Sequence, residues 1–465
     1  MFNIKIIFLG IFSLMAFGCA IGPKYVRPTA QIPKAYKESA DWKKAQPKDE
    51  IIRGEWWKIF NDPRLNDLED QVNISNQNIA QAQAQYSQAY ALVQAARSSF
   101  FPTLGVGASY TRSRTASGSS GHKTSSQNLL SADVSWELDL WGKIRRTMEA
   151  NSANAQASKA DLENARLSAQ AQLAQDYFQL CSLDAQKKLL DDTNSIFQKF
   201  LILTKNRHAS GVASETDVIQ AQTQLEGNQA QEIDIGVQRS QLEHAIALLA
   251  GKPAPDFSIP PLTLAPAVPL IPAGLPSEIL ERRPDIAAAE RTVAAANALI
   301  GVAESAYFPT LTLSASGDNE SSNLARIFSS PNPLWSVGPA LAETIFDAGL
   351  RQAQTAQAKA VYEADVAAYR QTVLTAFGQV EDNLAALRIL EQEALIQDSA
   401  VKDSLKAVAL ETDQYKAGTV SALDVINTQA TALVDEKTAV TILGERMNAC
   451  VLLIQYLGGG WAVSK

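Results

Sequence analysis

The sequence predicts a mainly α-helical fold with a small β portion, built as two copies of one unit in which long coiled-coil hairpins join short membrane-crossing strands. Three observations predict it. One is a duplication at a fixed offset, another is four runs of about ten residues that alternate with period two, and the third is an apolar residue at every seventh position over long stretches.

The duplication sets the frame. Phe101-Pro102-Thr103-Leu104 recurs as Phe308-Pro309-Thr310-Leu311, 207 residues later (308 − 101). Gly142 and Gly349, Gly211 and Gly418, and Asp217 and Asp424 stand the same distance apart. The expected organisation is a signal peptide over about 1–18, a lipid-anchored segment over 19–64, a first repeat over 65–250, a connector over 251–276, a second repeat over 277–457 and a tail over 458–465. Each repeat opens with a helix and crosses two strands, about 103–114 and 128–141 in the first, about 309–318 and 333–346 in the second. A hairpin of two long helices follows, with its tip near 211 or 418. The connector is rich in proline (Pro253, Pro255, Pro260, Pro261, Pro266, Pro269), which excludes helix there.

The strands carry the clearest alternation. Leu130, Ala132, Val134, Trp136 and Leu138 share one face; Ser131, Asp133, Ser135, Glu137 and Asp139 share the other. Because the offset is odd, parity inverts in the second copy, giving Leu311, Leu313 and Ala315, then Trp335, Val337 and Leu341. A dry face and an acidic wet face, at the length of a tilted membrane strand, predict a barrel wall with Asp133, Glu137 and Asp139 lining its lumen. Phe101, Tyr110, Trp141, Phe308, Trp335 and Phe346 stand where interfacial aromatics belong. Pro339 removes a ladder hydrogen bond and predicts a local bulge or bend. Four strands cannot close a barrel, and lipid does not tolerate open edges, so copies of the chain must share strands. Two copies give a barrel filled by its own side chains and three leave a lumen, so a homotrimer with a 12-stranded barrel is expected.

The helices measure a distance. Val366, Val373, Val380, Leu387, Ala394, Val401, Val408 and Tyr415 run seven apart, and Ile426, Leu433, Val440, Met447 and Ile454 supply the partner register. Such a period imposes a left-handed supercoil. A descending helix of about 67 residues spans about 100 Å. From Gly211 the chain climbs about 38 residues, crosses the connector and climbs about 31 more, which predicts that the helix after the connector stacks on the helix before it. At the tips, Gly211 and Gly418 supply left-handed residues, and Ser214 to Asp217 and Ser421 to Asp424 match the capping box that starts a new helix.

Lys5 precedes an apolar run from Ile6 to Phe17 that is too short to span a bilayer comfortably, which reads as an export signal. No later stretch holds 18 consecutive apolar residues, so any crossing falls to strands. Ala16-Phe17-Gly18-Cys19 resembles a bacterial lipobox, which implies cleavage before Cys19 and acylation of its thiol. Ala20 stands where an inner-membrane retention Asp would be, so the lipobox reading points to the outer membrane. With 41 basic and 49 acidic residues and no basic stripe, nucleic acid is excluded as a partner. His122, His208 and His244 lie apart from cysteine or carboxylate clusters, and Gly458-Gly459-Gly460 follows a helix instead of opening one. No metal, cofactor or enzymatic site is therefore expected. Cys181 and Cys450 fall in helical patterns, where an exported chain can oxidise them or simply bury them.

Several motifs then name a family. Glu55-Trp56-Trp57 with Phe60 and Asp62-Pro63, Leu275-Pro276-Ser277 with Glu281-Arg282-Arg283-Pro284-Asp285, the repeated Phe-Pro-Thr-Leu, Ile345-Phe346-Asp347, and Leu457-Gly458-Gly459-Gly460-Trp461 follow in order. Together they resemble the outer-membrane factor family of TolC-like channel proteins, in its lipidated OprM/CusC-like branch, over nearly the whole chain. The resemblance implies a trimeric channel-tunnel, the passive exit duct of a tripartite efflux system. It implies docking to a periplasmic adaptor (membrane fusion) protein and an inner-membrane transporter, usually of the resistance–nodulation–division (RND) type. It also implies a gate at the second tip, where Tyr415 matches the family's aromatic and Leu423 its apolar ring. Asn427 replaces a frequent Asp, leaving Asp424 as the acidic candidate. The tip residues Gly211, Ser214, Asp217, Gly418 and Ser421 become candidates for adaptor docking. Metal-ion efflux, type I protein secretion and a lipidated periplasmic scaffold without a pore remain alternatives, although only four Met occur in the whole chain, two of them in the signal.

Overall fold

Helices recur at the spacing of the duplication. The computed structural model describes residues 20–31, 33, 36, 37, 54–116, 122–262, 264, 268, 269, 271, 282–328 and 334–459. The signal peptide and Cys19 lie outside the described residues. After a 3-10 turn at Trp56–Phe60 come α1 (Pro63–Ser75), α2 (Gln77–Ser98), β1 (Thr103–Ala116), β2 (His122–Leu138), α3 (Lys143–Ala209) and α4 (Glu215–Leu249). The second copy supplies α5 (Pro284–Ser305), β3 (Thr310–Ser321), β4 (Leu334–Ala342), α6 (Leu350–Lys416) and α7 (Ala422–Tyr456). Helices α5, α6 and α7 start 207 residues after α2, α3 and α4 (284 − 77, 350 − 143, 422 − 215). With 67 residues each, α3 and α6 are about 100 Å long.

The chain divides into two compact units, to both of which α3 and α6 contribute. The first comprises residues up to 29, 84–159 and 288–370, and holds one antiparallel sheet of order β1-β2-β3-β4. Strand β4 ends at Ala342, so Ile345 and Phe346 lie beyond it. The bulge expected at Pro339 is absent: the register runs unbroken from Thr310↔Ala342 to Asp318↔Leu334, with Pro339 opposite Leu313. Pro339 stands on the last strand of the sheet, which has one side unpaired in the protomer. Helix α5 is apolar enough to cross a membrane by length and composition, yet most of its apolar stretch is buried inside the protein.

An extended N-terminal segment is strapped onto this unit through its backbone. Ile21 N–H donates to the Trp141 carbonyl at 3.1 Å. Arg146 donates from Nε to the Ile21 carbonyl (3.0 Å) and from Nη2 to that of Gly22 (3.1 Å). Asn297 Nδ2 holds the Pro23 carbonyl at 3.1 Å. Gly22 has φ +99°, and a Cβ there would lie 2.4 Å from the Gly301 Cα, so only a glycine pair allows this approach.

The second unit holds residues 30–83, 160–287 and 371–465. The heptad seam is buried here at Val373, Val380 and Leu387, together with Ala376 and Asn383. Phe197 and Leu201 of α3, Ala221 and Leu225 of α4 and Ile426 of α7 form one core cluster, so both hairpins share a core. Cys181 and Cys450 are free and buried, and burial pushes both thiols up to about 12.

The stacking expected across the connector is corrected. Asn76, the residue between α1 and α2, accepts the N–H groups of Asn78 and Ile79 and donates Nδ2 to the Leu249 carbonyl at 2.8 Å. One side chain thus caps the start of α2 and the end of α4. At the matching place in the second copy, Arg283 Nη1 donates to the Tyr456 carbonyl at 3.2 Å, joining the end of α7 to the start of α5. Helix α2 therefore continues α4, and α5 continues α7. Length arithmetic selected the wrong pairs because α2 and α5 have 22 residues each and fit either way.

Candidate channel wall and gate

Pairing across the sheet settles which side chains share a face, because directly opposed residues of antiparallel strands point the same way. Leu104, Val134, Ala315 and Val337 stand in one row, and Val106, Ala132, Gly317 and Trp335 in the next. This face is bare in the protomer: Leu104, Val106, Trp335 and Val337 are each more than 70% exposed. The other face carries Gly105, Asp133, Ser316 and Ser336 in one row and Glu137 with Thr312 in another. Trp141 stacks on Phe308 with ring centroids 4.9 Å apart and donates Nε1 to the Pro309 carbonyl.

Of the three carboxylates expected in the lumen, Asp133 and Glu137 lie on the polar face, where Glu137 accepts from Lys143 Nζ at 3.0 Å. Asp139 does not. Strand β2 stops at Leu138, and the Asp139 carboxylate accepts the N–H groups of Ile144 (2.9 Å) and Arg145 (3.0 Å) and pairs with the Arg145 guanidinium. Asp139 is thus spent on starting α3, where a carboxylate satisfies orphan helix donors.

The tips take the geometry their sequences require. Gly211 has φ +74° and Gly418 φ +79°. Ser214 accepts from the Asp217 N–H and Ser421 from that of Asp424, and each Asp returns a bond to its serine's N–H. These bonds hold the Asp424 carboxyl below the usual carboxylate range. Tyr415 is buried, not open to a passage: its ring stands edge-on to Phe200 at 5.8 Å, and the Arg207 guanidinium lies 5.2 Å from its centroid. It clasps the second hairpin to the first. Leu423 is half-buried, while Asp424 and Asn427 are exposed; Val425 and Ile426 carry the packed face of α7.

A polar clamp went unread in the sequence. Arg239 of α4 pairs with Asp184 of α3 at 2.7 Å, reaches Glu243 at 3.2 Å and donates to the Ile259 carbonyl at 2.7 Å. Asp184 accepts the Leu262 N–H at 2.8 Å, and Glu243 accepts that of Ile259. Together these groups fasten the start of the proline-rich connector to the hairpin. Among the described residues no cluster of His, Cys, Asp and Glu is placed to hold a metal ion.

A sheet that is apolar on one side, acidic on the other and open at both edges, in a chain that also forms paired helical hairpins, has the pattern of a membrane-barrel wall. The family model for outer membrane efflux proteins matches residues 68–252 and 275–459, and the chain belongs to that family. It is similar to the solvent efflux pump outer membrane protein SrpC of Pseudomonas putida, at 30% identity over 97% of each chain. It is also similar to the pyoverdine export outer membrane protein OpmQ of Pseudomonas aeruginosa, at 31% identity over 88% of this chain and 87% of that one. The crystal structure of the Campylobacter jejuni CmeC outer membrane channel superposes with a TM-score of 0.89 at 25% identity, covering 96% of each chain. The protein is therefore an outer-membrane channel component of an efflux system.

Proposed function

We propose that three copies assemble into a passive exit duct, with a 12-stranded barrel in the outer membrane and a helical tunnel closed at the hairpin tips. The observation that carries this reading is the first unit's sheet, whose apolar face is uncovered and whose outer strands each keep one unpaired edge. Lipid covers such a face, and only another strand satisfies such edges. In the second unit, bare apolar side chains stand on α4 (Ile219, Ile233, Val237) and on α6 (Ile389, Ile396, Leu410). Unlike faces meeting head to tail close into a ring. The duct performs no catalytic step, and energy enters from an inner-membrane transporter, of RND type on the family resemblance.

A groove of about 430 Å³ between α4 and α7, lined by Gln224, Asn228, Gln231, Leu433, Lys437 and Thr441, offers a periplasmic adaptor a seat beside the tips. Leu423, Asp424 and Asn427 form the constriction, and the Tyr415 clasp holds it shut. Cys19 bears the lipid, on the resemblance of Ala16-Phe17-Gly18-Cys19 to a lipobox. Cargo is a small molecule whose identity the transporter selects. The test is conductance of the purified protein in planar bilayers, with susceptibility to dyes, detergents and metal salts in cells lacking it. A stable trimer that never conducts supports the scaffold reading instead, and hypersensitivity confined to metal salts supports metal efflux.

A further inference from the structure

The sorting of charge between the two faces of the sheet extends beyond the lumen. Register places Arg112 opposite Ser126 and Arg114 opposite Thr124, without interruption from Leu104↔Val134. Both arginines therefore share the face of Leu104, Val106, Ala108 and Tyr110, the face turned to lipid. They are exposed, and neither has an ion-pair partner among the described residues. The acids of β3, Asp318 and Glu320, oppose Ser131 and Leu129 of β2 and so project from the other face. Between Tyr110 and Leu129 the chain has Arg112, Arg114, His122 and Lys123 and neither Asp nor Glu. The two arginines of β1 thus stand outward, and the acids of β2 and β3 inward, on one small sheet.

Height gives the bases a partner. Arg112 lies eight residues beyond Leu104, about 27 Å along the strand. At a strand tilt of about 40° this is about 20 Å of membrane depth, close to the apolar band of about 25 Å that outer-membrane barrels present. Tyr110 marks the interface, and the next two outward residues are arginines at headgroup level, on the end of the sheet away from the helices. Guanidinium groups bind phosphate through paired N–H donors, and basic clusters just outside the hydrocarbon attract anionic lipid.

We propose that Arg112 and Arg114 form a contact site for the phosphate-bearing headgroups of outer-leaflet glycolipid. The proposal rests on the barrel reading above. The test titrates the purified full-length protein in detergent with lipid A bearing two phosphates, with the same lipid after removal of both, and with inorganic phosphate, using native mass spectrometry. Loss of the phosphates is expected to weaken lipid binding at least about tenfold. R112Q or R114Q is expected to weaken it about fivefold and the pair about thirtyfold. T111N, on the opposite face of the same strand, leaves it unchanged. Equal affinity of R112Q/R114Q and unaltered protein overturns the proposal, as does equal binding of the dephosphorylated lipid. Displacement of the lipid by equimolar inorganic phosphate overturns lipid as the source. Bilayer conductance of the same preparation separates the two readings: a conducting trimer indifferent to R112Q/R114Q loses only the lipid site, whereas a monomer or a silent trimer loses the barrel and the site together.

Discussion

Replacing Arg239 by Ala should open the connector. The Asp184 side chain is 3% exposed and that of Arg239 16%, so the pair is largely shielded from water and salt. Removing the guanidinium leaves the Asp184 and Glu243 carboxylates facing each other and strips the Ile259 carbonyl of its donor. Breaking one side of a buried ion pair costs about 3–5 kcal/mol, most of it the charge left behind. At about 1.4 kcal/mol per factor of ten, local opening should become at least about a hundredfold more frequent. Hydrogen exchange reports it directly, because the amides of Ile259 and Leu262 donate to Glu243 and Asp184. Both should lose protection in R239A; R239M/D184L, which removes the Asp184 charge along with its partner, should recover part of it at Ile259, whose acceptor Glu243 remains, but not at Leu262, whose acceptor is gone. If exchange at Ile259 and Leu262 in R239A stays within about threefold of the unaltered protein, less than about 1 kcal/mol, the clamp is not what holds the connector.

Three further outcomes follow from the same coordinates. Glu69 is fully buried, neither carboxylate oxygen has a hydrogen-bond partner among the described residues, and burial, with Asp70 beside it, raises its pKa well above the ordinary range. The native state then keeps a proton that the unfolded chain releases above about pH 4.3, so stability falls as pH rises from there towards the raised value. Glu69→Gln should raise the melting temperature at pH 8 and flatten its decline from pH 5, and an unchanged slope would exclude Glu69 as its origin. Gly301→Val must collide with the strap, since even a Cβ would lie 2.7 Å from the Ile21 carbonyl oxygen; trypsin should then cut after Lys24 faster than in the unaltered protein, and an equal rate would count against a backbone-held strap. Asn427→Asp puts three carboxylates around the axis of a trimer, so the reversal potential in a KCl gradient should shift towards cation selectivity. No shift would remove this position from the pore.

Periodicity carried far into the fold. An apolar residue every seventh position and a period of two along the strands identify helix and strand because each pattern is the geometry of a single element. The Ser214 and Ser421 caps were equally legible, since donor and acceptor lie three residues apart. The site was read less completely. Asp133 and Glu137 followed from parity, whereas Asp139 continued the alternation while the chain had already left the strand to cap α3. The face of Arg112 and Arg114 comes from the structure, whose unbroken pairing to β2 shows that no bulge reverses it.

What the sequence determined by itself is therefore everything written within a few turns of one element: the duplicated unit, the strand faces, the hairpin tips and their length. The tertiary structure alone decided which elements meet, because contacts such as Asn76 to Leu249, Arg283 to Tyr456 and Arg239 to Ile259 join residues that chain order does not bring together. Helix α2 continues α4, and α5 continues α7, because a side chain spans each joint and satisfies the backbone groups that two helix ends leave open.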